Sequence, residues 1–453
     1  MRWLDTTDLV LLVGTNPLPN YVVLKLLIQH CTHLQRVWLI HSELREAYGQ
    51  AGTKEFAENI AKVFKQEFND YKLEFRFVPL RDLSSAISIY QDLQEKMYHQ
   101  IPADAVIHLN YTGGTKTMAV HVYRSLEENF KDWVYFSYLD GRQFKLNLDQ
   151  PAQCISSDLL DLVTIELEDL IKLHSYQIEN RNQNGLEVET TKLFIDLIEE
   201  NKLSKYLQWQ KKFRTYYYAN DKFIDRTRKF CEKNGLLEEG RINESKVRAL
   251  QDKFAQTTEG FILRLIRTLP EPNILDENGK LWIPDPENVI NNSFCRRVKP
   301  VVEFLGGKWL EGYVANIIRQ NLLSDVRFKD KYKKRVIKVE HNWEIKKGNK
   351  PFELDVIVLN GYQICGISCT TSDKEGLCKN KGFEILHRTT QIGGEEAKAI
   401  LVTCLSSEIL EDFYTDLMMV SGLAPGKFMV LGQDDLKPDI LWRKISRYIW
   451  GDL

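Results

Sequence analysis

The first 150 residues repeat one pattern, in which a short apolar run leads through a turn of small residues into a helix with one apolar face. The run DLVLLV is followed by the turn Gly14-Thr15-Asn16-Pro17 and by an amphipathic helix, and further apolar runs follow as RVWLIHS, LEFRFVPL and DAVIHLN. Strands that alternate with helices are typical of a parallel sheet with helices on both faces. The pattern therefore predicts a doubly wound α/β domain over residues 1–150.

The remainder of the chain divides into two further regions, as a length of 453 residues leads one to expect. Residues 151–299 are rich in polar helical stretches, and the segment RKFCEKNGLLEEGRIN matches a helix, a glycine turn and a short wing, as in winged-helix domains. Residues 300–453 return to mixed helices and strands. There the Asn-Gly pair of Leu359-Asn360-Gly361-Tyr362 predicts a tight hairpin.

Composition excludes several classes of protein. The formal net charge is -2, so contact with a nucleic acid would need a local basic patch. The eight cysteines form no C-x-x-C pair, which argues against a zinc site. No apolar run approaches the roughly 20 residues that cross a bilayer, and no leader pattern opens the chain. We therefore expect a cytoplasmic protein without membrane contact.

Two turns of the first domain have the composition of a ligand site. Gly14-Thr15-Asn16-Pro17 and Thr112-Gly113-Gly114-Thr115-Lys116 each stand between the end of a strand and the start of a helix. Ligands bind at that edge of an open parallel sheet, where helix N–H groups, hydroxyls and a lysine suit an anionic, nucleotide-like molecule. The alternative is that Thr112 or Thr115 only caps a helix beside two glycines of a tight turn.

Acidic residues of the last region have the spacing of a metal site. Glu353 and Asp355 are separated by two positions on a predicted strand, so they share one face, and Glu311 lies on a neighbouring helix. Their carboxylates could hold Mg²⁺ or Mn²⁺, which would activate water at a phosphodiester. Spacing alone favours the alternative, in which all three side chains are simply solvated.

The middle region mixes cations with aromatic residues in the segment KYLQWQKKFRTYYYANDKF. Such a mixture can grip a single strand by charge and base stacking. It also arises on an amphipathic helix whose aromatic rings pack inward while its lysines reach solvent, and this second interpretation is the one we favour. His108, at the end of a predicted strand, is expected to pack rather than to catalyse.

The first domain resembles the CARF domain, a Rossmann-like fold of type III CRISPR ancillary proteins. The strand before GTNPLPNYV, together with the later segment NYTGGTKTMAVHVY, carries this resemblance over residues 8–150. It implies a homodimer that closes over a cyclic oligoadenylate, cyclic tetraadenylate rather than cyclic hexaadenylate. By position it assigns the following ligand-binding residues: Thr15, Asn16, Ser42, Asn110, Thr112, Gly113, Gly114, Thr115 and Lys116.

The last region resembles the CARF-linked nucleases of the Card1/Can2 type, which belong to the PD-(D/E)xK superfamily with its restriction-endonuclease-like fold. FLGGKWLEGYV, VEHNWEI, ELDVIVLNG and ISC follow in the order of that family over about residues 300–405. The resemblance implies that Asp355 and Glu311 bind the metal, with Glu353 beside them. Family members carry a lysine where this chain has threonine, in Ser368-Cys369-Thr370. Lys379 is our candidate for a substitute.

These observations lead to one hypothesis of function and to alternatives. The first is a metal-dependent nuclease, activated by cyclic oligoadenylate, that cleaves DNA or RNA in type III CRISPR defence. The missing lysine favours a catalytically altered nuclease fold that acts as a ligand-regulated nucleic-acid-binding protein. A third alternative is a ring nuclease, in which Lys116 and the neighbouring threonines promote cleavage of the cyclic ligand itself.

Overall fold

The computed structural model describes residues 2–43, 52–181, 187–220, 222–270, 273–285, 293–422 and 426–452. The chain forms two compact units. The first comprises Met1–Arg181, Asp330–Gly366 and Glu384–Ala399, and the second comprises Asn182–Lys329, Ile367–Phe383 and Ile400–Leu453. Each unit thus draws on separated parts of the chain, whereas a division into three consecutive domains stays a prediction.

The alternating pattern of the first 150 residues forms a seven-stranded sheet. Its strands are β1 (Asp8–Val13), β2 (Arg36–Ser42), β3 (Glu74–Leu80), β4 (Ile107–Asn110), β5 (Val134–Asp140), β6 (Lys145–Leu148) and β7 (Gln153–Ser156). The helices between them are α1 (Leu18–His30), α2 (Lys54–Glu67), α3 (Ala86–Lys96) and α4 (Lys116–Phe130). The strand order is β3-β2-β1-β4-β5-β6-β7, with β1 to β5 parallel and the last two strands antiparallel.

Burial explains why β1 lies at the centre of this sheet. All six of its residues are buried, as expected for a parallel strand covered on both faces. Apolar side chains of β1, such as Val10 and Leu12, pack in one cluster with Met118, Val122 and Leu126 of α4. The predicted doubly wound fold is confirmed, and its strand order reverses direction between β1 and β4.

The segment after this sheet continues with helices and short strands. It contains α5 (Leu159–Leu162), α6 (Leu167–Leu173), β8 (Gln177–Arg181), α7 (Glu187–Glu199), α8 (Leu203–Tyr217), β9 (Tyr218–Ala219), β10 (Lys222–Phe223), α9 (Thr227–Lys233), β11 (Leu237–Glu238), β12 (Arg241–Ile242), α10 (Glu244–Thr257), α11 (Gly260–Thr268) and α12 (Ser293–Glu303). Helix α9, the left-handed Gly235 and the β11–β12 hairpin form the predicted helix, turn and wing.

The aromatic residues of α8 pack inward. Tyr206 is fully buried and Trp209 is 5% exposed, whereas Lys205 and Lys211 are exposed. The Tyr206 hydroxyl donates a hydrogen bond to the Leu305 carbonyl oxygen at 2.9 Å. The interpretation of this segment as an amphipathic helix with a packed aromatic face is therefore confirmed, and these rings are not available to stack on bases.

The remaining elements are α13 (Trp309–Ser324), α14 (Val326–Lys331), β13 (Ile337–Lys347), β14 (Lys350–Asn360), β15 (Gln363–Thr370), α15 (Glu375–Gly393), β16 (Lys398–Thr403), α16 (Ser407–Ser421), β17 (Phe428–Leu431) and α17 (Pro438–Trp450). A second sheet has the strand order β17-β16-β15-β14-β13-β8. Its edge strand β8 comes from residues 151–299, which the sequence predicted to be mainly helical, with no strand at this position. None of the described helices is long and apolar enough to cross a membrane.

Candidate functional site

Both predicted ligand turns lie where the strand order of the first sheet reverses. The first follows β1 and the second follows β4, and these two strands are parallel neighbours. The turns approach each other closely, since a Cβ atom at Gly14 would lie 3.1 Å from the backbone nitrogen of Gly114. A crevice at such a reversal is the usual ligand site of an open α/β sheet.

Gly113 leaves no room for a side chain. A Cβ atom there would overlap the carbonyl oxygen of Leu12 and lie 2.8 Å from Oδ1 of Asn20. That carbonyl oxygen already accepts a hydrogen bond from Nδ2 of Asn20 at 2.9 Å. The turn can therefore pass this close to β1 only with glycine at this position.

Hydrogen bonds anchor the rest of the second turn. Oγ1 of Thr112 accepts from the Leu139 N–H at 2.7 Å, which ties the turn to β5. Oδ1 of Asn110 accepts from the Thr112 N–H at 3.3 Å. Oγ1 of Thr115 accepts from the Met118 N–H at 3.2 Å, so Thr115 is the N-cap of α4. Thr115 therefore does cap α4, which is compatible with both interpretations of the turn, and the N–H groups at the start of this helix suit an anion.

The side chain of Asn16 organises the first turn. Its Oδ1 accepts from the Leu18 N–H at 3.2 Å and lies 3.2 Å from Nε2 of His174. Burial lowers the pKa of His174 to about 4, so this imidazole is neutral near pH 7. Asn16 also touches the backbone of Gly394, where a Cβ atom would overlap its Nδ2.

A cavity of about 520 Å³ opens at these turns, entirely within the first unit. Five predicted ligand residues line it: Thr15, Asn16, Thr112, Gly113 and Gly114. Sequence reasoning missed its other walls, which are Tyr138 to Arg142 at the end of β5, Tyr362 and Gln363 at the turn between β14 and β15, and Gly393, Glu395 and Glu396 at the end of α15. The wall after β5 could have been expected, because β5 is another parallel strand that ends at the same edge.

Four other predicted ligand residues do not line this cavity. Ser42 is buried, and its hydroxyl lies 3.2 Å from Oγ1 of Thr53. Asn110 is fully buried, and its Nδ2 donates to Oγ of Ser137 at 3.0 Å. These two side chains support the turns from below. Thr115 and Lys116 are exposed at the start of α4, and their direct contact with a ligand stays a prediction.

The tight hairpin predicted at Asn360-Gly361 forms part of the cavity wall. Gly361 has a φ of +63°, and a Cβ atom there would lie 2.5 Å from the Leu160 carbonyl oxygen. Nε2 of Gln363 donates to the carbonyl oxygen of Glu396 at 2.9 Å. The turn that connects β14 to β15 therefore packs closely against Leu160 and is hydrogen-bonded to Glu396, which also lines the cavity.

Two of the predicted nuclease residues, Glu353 and Asp355, belong to the first unit. They share one face of β14, but Glu353 is exposed and faces Glu344 on β13, whereas Asp355 is only 3% exposed. A buried carboxylate is costly unless it is paired or coordinates a cation. The solvated alternative therefore fits Glu353 and does not fit Asp355.

The other predicted nuclease residues belong to the second unit. Glu311 is buried on α13 and Ser368 is buried on β15, whereas Thr370 at the end of β15 is half-buried. Oγ1 of Thr370 accepts from the Ser372 N–H at 3.2 Å. Nζ of Lys379 lies 3.1 Å from Oδ2 of Asp416 on α16, so its part in cleavage stays a prediction.

No group of three or more His, Cys, Asp and Glu side chains is arranged to hold a metal ion within the described ranges. The carboxylate of the buried Asp355 could still supply a hard oxygen ligand to a metal ion. Such an oxygen suits Mg²⁺ or Mn²⁺, which prefer carboxylate and carbonyl oxygen to sulfur.

His108 packs as predicted. It is fully buried on β4, and its Nε2 lies 2.7 Å from Oγ of Ser137. Burial lowers the pKa of this imidazole to about 4. This neutral, buried histidine is therefore a packing partner of Ser137 on β5.

The strand order of the first sheet and its covering helices define a domain of the Rossmann-like class. Residues 9–165 match the family model of the Card1 CARF domain, which confirms the resemblance seen in the sequence. No curated protein matches the chain in sequence. The crystal structure of protein VC1899 from Vibrio cholerae is similar to the chain with a TM-score of 0.61 and 16% identity, over 98% of each chain.

A second similar structure is Can2 from Sulfobacillus thermosulfidooxidans, solved in complex with cyclic tetra-adenylate. Its TM-score is 0.57 at 16% identity, and the alignment covers 98% of this chain and 99% of that chain. At this identity, the two structures establish that the fold is shared over nearly the whole length, including the region after residue 165.

Proposed function

We propose that the protein is a metal-dependent nuclease activated by a cyclic oligoadenylate, acting in type III CRISPR defence. The match of residues 9–165 to the Card1 CARF domain supports a sensor of such ligands. The shared fold with Can2, which was solved with cyclic tetra-adenylate, favours that ring as the activator.

One observation carries this proposal: the cavity is bounded by the turn of the hairpin whose first strand holds Asp355. Tyr362 and Gln363 line the cavity. The last part of β14, from Asp355 to Asn360, comes just before them in the chain. Five residues of extended strand span about 17 Å. A ligand that displaces this turn thus acts on the same strand that carries the candidate metal-binding carboxylate.

The charges of the cavity suggest how the ligand acts on this turn. Arg142 and the N–H groups at the start of α4 attract phosphate, whereas Glu395 and Glu396 repel it. A polyanionic ring is therefore bound best when the segment Gly393–Glu396 moves outward. A ligand shifts an equilibrium only through such a difference in affinity between two states.

Activation by one ring also calls for two copies of the sensing domain, and we propose a homodimer. Ile87 on α3 is 70% exposed and Val120 on α4 is 52% exposed, although both are apolar. These two helices pack against each other in the first unit. A second copy of the chain that covers this face would give the two-fold arrangement that a symmetric ring requires.

For cleavage, we propose that Asp355 binds Mg²⁺ or Mn²⁺, with Glu353 at the margin of the site; metal binding by Glu311 and a role of Ser368 stay predictions of the resemblance. The metal, when bound, would lower the pKa of a water molecule and stabilise charge on the phosphate. Asp355 would orient that water through its carboxylate. Lys379, or the hydroxyl of Thr370, would take the position of the family's lysine.

The second candidate function is binding of a nucleic acid by a nuclease fold that does not cleave it, and Thr370 favours this candidate. Its hydroxyl accepts a backbone hydrogen bond from Ser372, and Lys379 is paired with Asp416. Neither group is thereby placed to neutralise a transition state. In this case the protein would bind DNA or RNA under control of the cyclic ligand.

The decisive experiment incubates the purified chain with labelled single- and double-stranded DNA and RNA, in Mn²⁺ or Mg²⁺. Each reaction is run without ligand, with cyclic tetraadenylate and with cyclic hexaadenylate. We expect cleavage only with ligand, and loss of cleavage in Asp355→Asn. Asp252→Asn, an exposed position on α10, is the matched control and should remain active.

Three results of this experiment would each lead to a different conclusion. Ligand-dependent cleavage that survives Asp355→Asn would contradict the proposed metal site. Ligand-dependent retention of a nucleic acid in a gel shift, with no product in either metal, would favour the binding protein. Disappearance of the cyclic ligand alone, measured by chromatography, would favour the ring nuclease.

A further inference from the structure

Asn342 has an unusual backbone for the middle of a strand. It lies inside β13 but has a φ of +55°, in the left-handed region that non-glycine residues seldom adopt. Residues held in such conformations cluster at functional sites, where the surrounding structure maintains the strain. The flanking residues are regular strand, with His341 paired to Val356 and Trp343 paired to Leu354.

The register between β13 and β14, a second hairpin that shares β14 with the one described above, places Asn342 opposite Asp355. The pairs on either side keep one register, in which Asp355 is the residue that faces Asn342, although the left-handed Asn342 is itself outside the ladder of paired residues. Both residues lie in the first unit.

The side-chain oxygen of Asn342 has no hydrogen-bond partner among the described residues, although the atom is buried. More than 90% of buried polar groups in proteins are satisfied. An acceptor left open beside a buried carboxylate is what an oxygen-coordinated cation requires. The open acceptor of Asn342 and the carboxylate of Asp355 are oxygen ligands of the kind that Mg²⁺ and Mn²⁺ prefer.

We infer that Asn342 supplies a neutral oxygen ligand to the metal bound by Asp355. Amide oxygens coordinate Mg²⁺ and Mn²⁺ as carboxylates do. Glu340, Glu344 and Glu353 already occupy the same side of the hairpin, by register. A neutral ligand adds a coordination bond without further repulsion among these acids. The inference rests on the proposed metal-dependent function.

The competing explanation is that asparagine stands here only because it tolerates a left-handed backbone. Glycine tolerates that backbone better than asparagine and has no side-chain oxygen. Asn342→Gly therefore separates the two explanations. Under the competing explanation, it would leave metal affinity unchanged.

The test measures Mn²⁺ binding to the full-length protein by calorimetry and by electron paramagnetic resonance, without substrate. We expect Asn342→Gly to melt at the same temperature as the wild type, or at a higher one, and to bind Mn²⁺ about tenfold more weakly. Asn342→Asp keeps an oxygen at this position and should recover most of the affinity. Asp355→Asn, which removes the principal ligand, serves as the positive control for loss of Mn²⁺ binding.

Three outcomes overturn the inference and can be told apart. If Asn342→Gly binds Mn²⁺ as tightly as the wild type while Asp355→Asn loses binding, the inference fails and the metal site stands. If the wild type binds no Mn²⁺, both the inference and the proposed metal-dependent function fail. A loss of affinity in Asn342→Asp equal to that in Asn342→Gly also contradicts a role for the oxygen.

Discussion

Replacement of Gly113 by alanine tests whether the close approach of the second turn to β1 shapes the ligand cavity. The added Cβ atom would overlap the Leu12 carbonyl oxygen and come within 2.8 Å of Oδ1 of Asn20. Leu12 belongs to a strand that is buried along its whole length. The clash therefore involves backbone that cannot move aside cheaply, and the turn itself must shift.

The contacts around Gly113 set the expected losses of stability and of ligand affinity. Forcing extra volume into a packed site costs about 1–3 kcal/mol. Losing the hydrogen bond between Asn20 and the Leu12 carbonyl oxygen costs about 1 kcal/mol more. We expect Gly113→Ala to lower the free energy of unfolding by roughly 2–4 kcal/mol. If the turn then moves away from its ligand-binding position, cyclic tetraadenylate should bind at least about tenfold more weakly, which is about 1.4 kcal/mol.

Urea unfolding followed by circular dichroism measures the first effect, and isothermal calorimetry with cyclic tetraadenylate measures the second. Gly260→Ala is the matched control. It lies at the start of α11, and no described atom is within 4 Å of the position of its added Cβ. Alanine there should leave stability unchanged or raise it, since alanine favours helix. Wild-type stability and ligand affinity in Gly113→Ala would refute the reasoning.

Three further predictions concern charge. Lys116→Ala should weaken cyclic tetraadenylate binding and reduce its dependence on salt, and unchanged affinity in calorimetry would contradict the assignment. Glu396→Gln should strengthen binding by roughly two- to fivefold, because a repulsive charge of the cavity wall is removed; weaker binding would mean that this carboxylate accepts hydrogen bonds from the ligand. Burial lowers the pKa of His108 and His174 to about 4, from 6.5. The unfolded chain therefore binds more protons, so stability should be complete above pH 6.5 and fall as the pH drops toward 4. Urea unfolding at pH 7 and pH 5 checks this, and His108→Gln should flatten the slope.

Much of the first sheet could be predicted because its signals are local. The uninterrupted apolar run of β1 indicates a strand covered on both faces, and the small residues after it indicate a turn. The Asn-Gly pair at Asn360 predicted a hairpin turn, which the structure confirms with the left-handed Gly361. Each of these inferences needs only neighbours within a few positions.

The candidate site was harder to predict, because burial is decided by distant parts of the chain. Glu353 and Asp355 have the same residue chemistry and the same strand face, yet one is exposed and the other is buried. In α8, the same mixture of cations and aromatics fits a nucleic-acid surface and a packed helix. Only the neighbours supplied by the fold, such as Leu305 against Tyr206, distinguish the two.

By itself, the sequence determined the alternation of strands and helices in the first 150 residues, the two turns of that domain and the candidate carboxylates, since these depend on local periodicity and residue chemistry. The tertiary structure decided which elements and side chains lie next to one another. It added Glu395 and Glu396 to the cavity, joined β8 to the second sheet and set Asn342 opposite Asp355. Those contacts join residues far apart in the chain, and strand register and packing, rather than local propensity, select them.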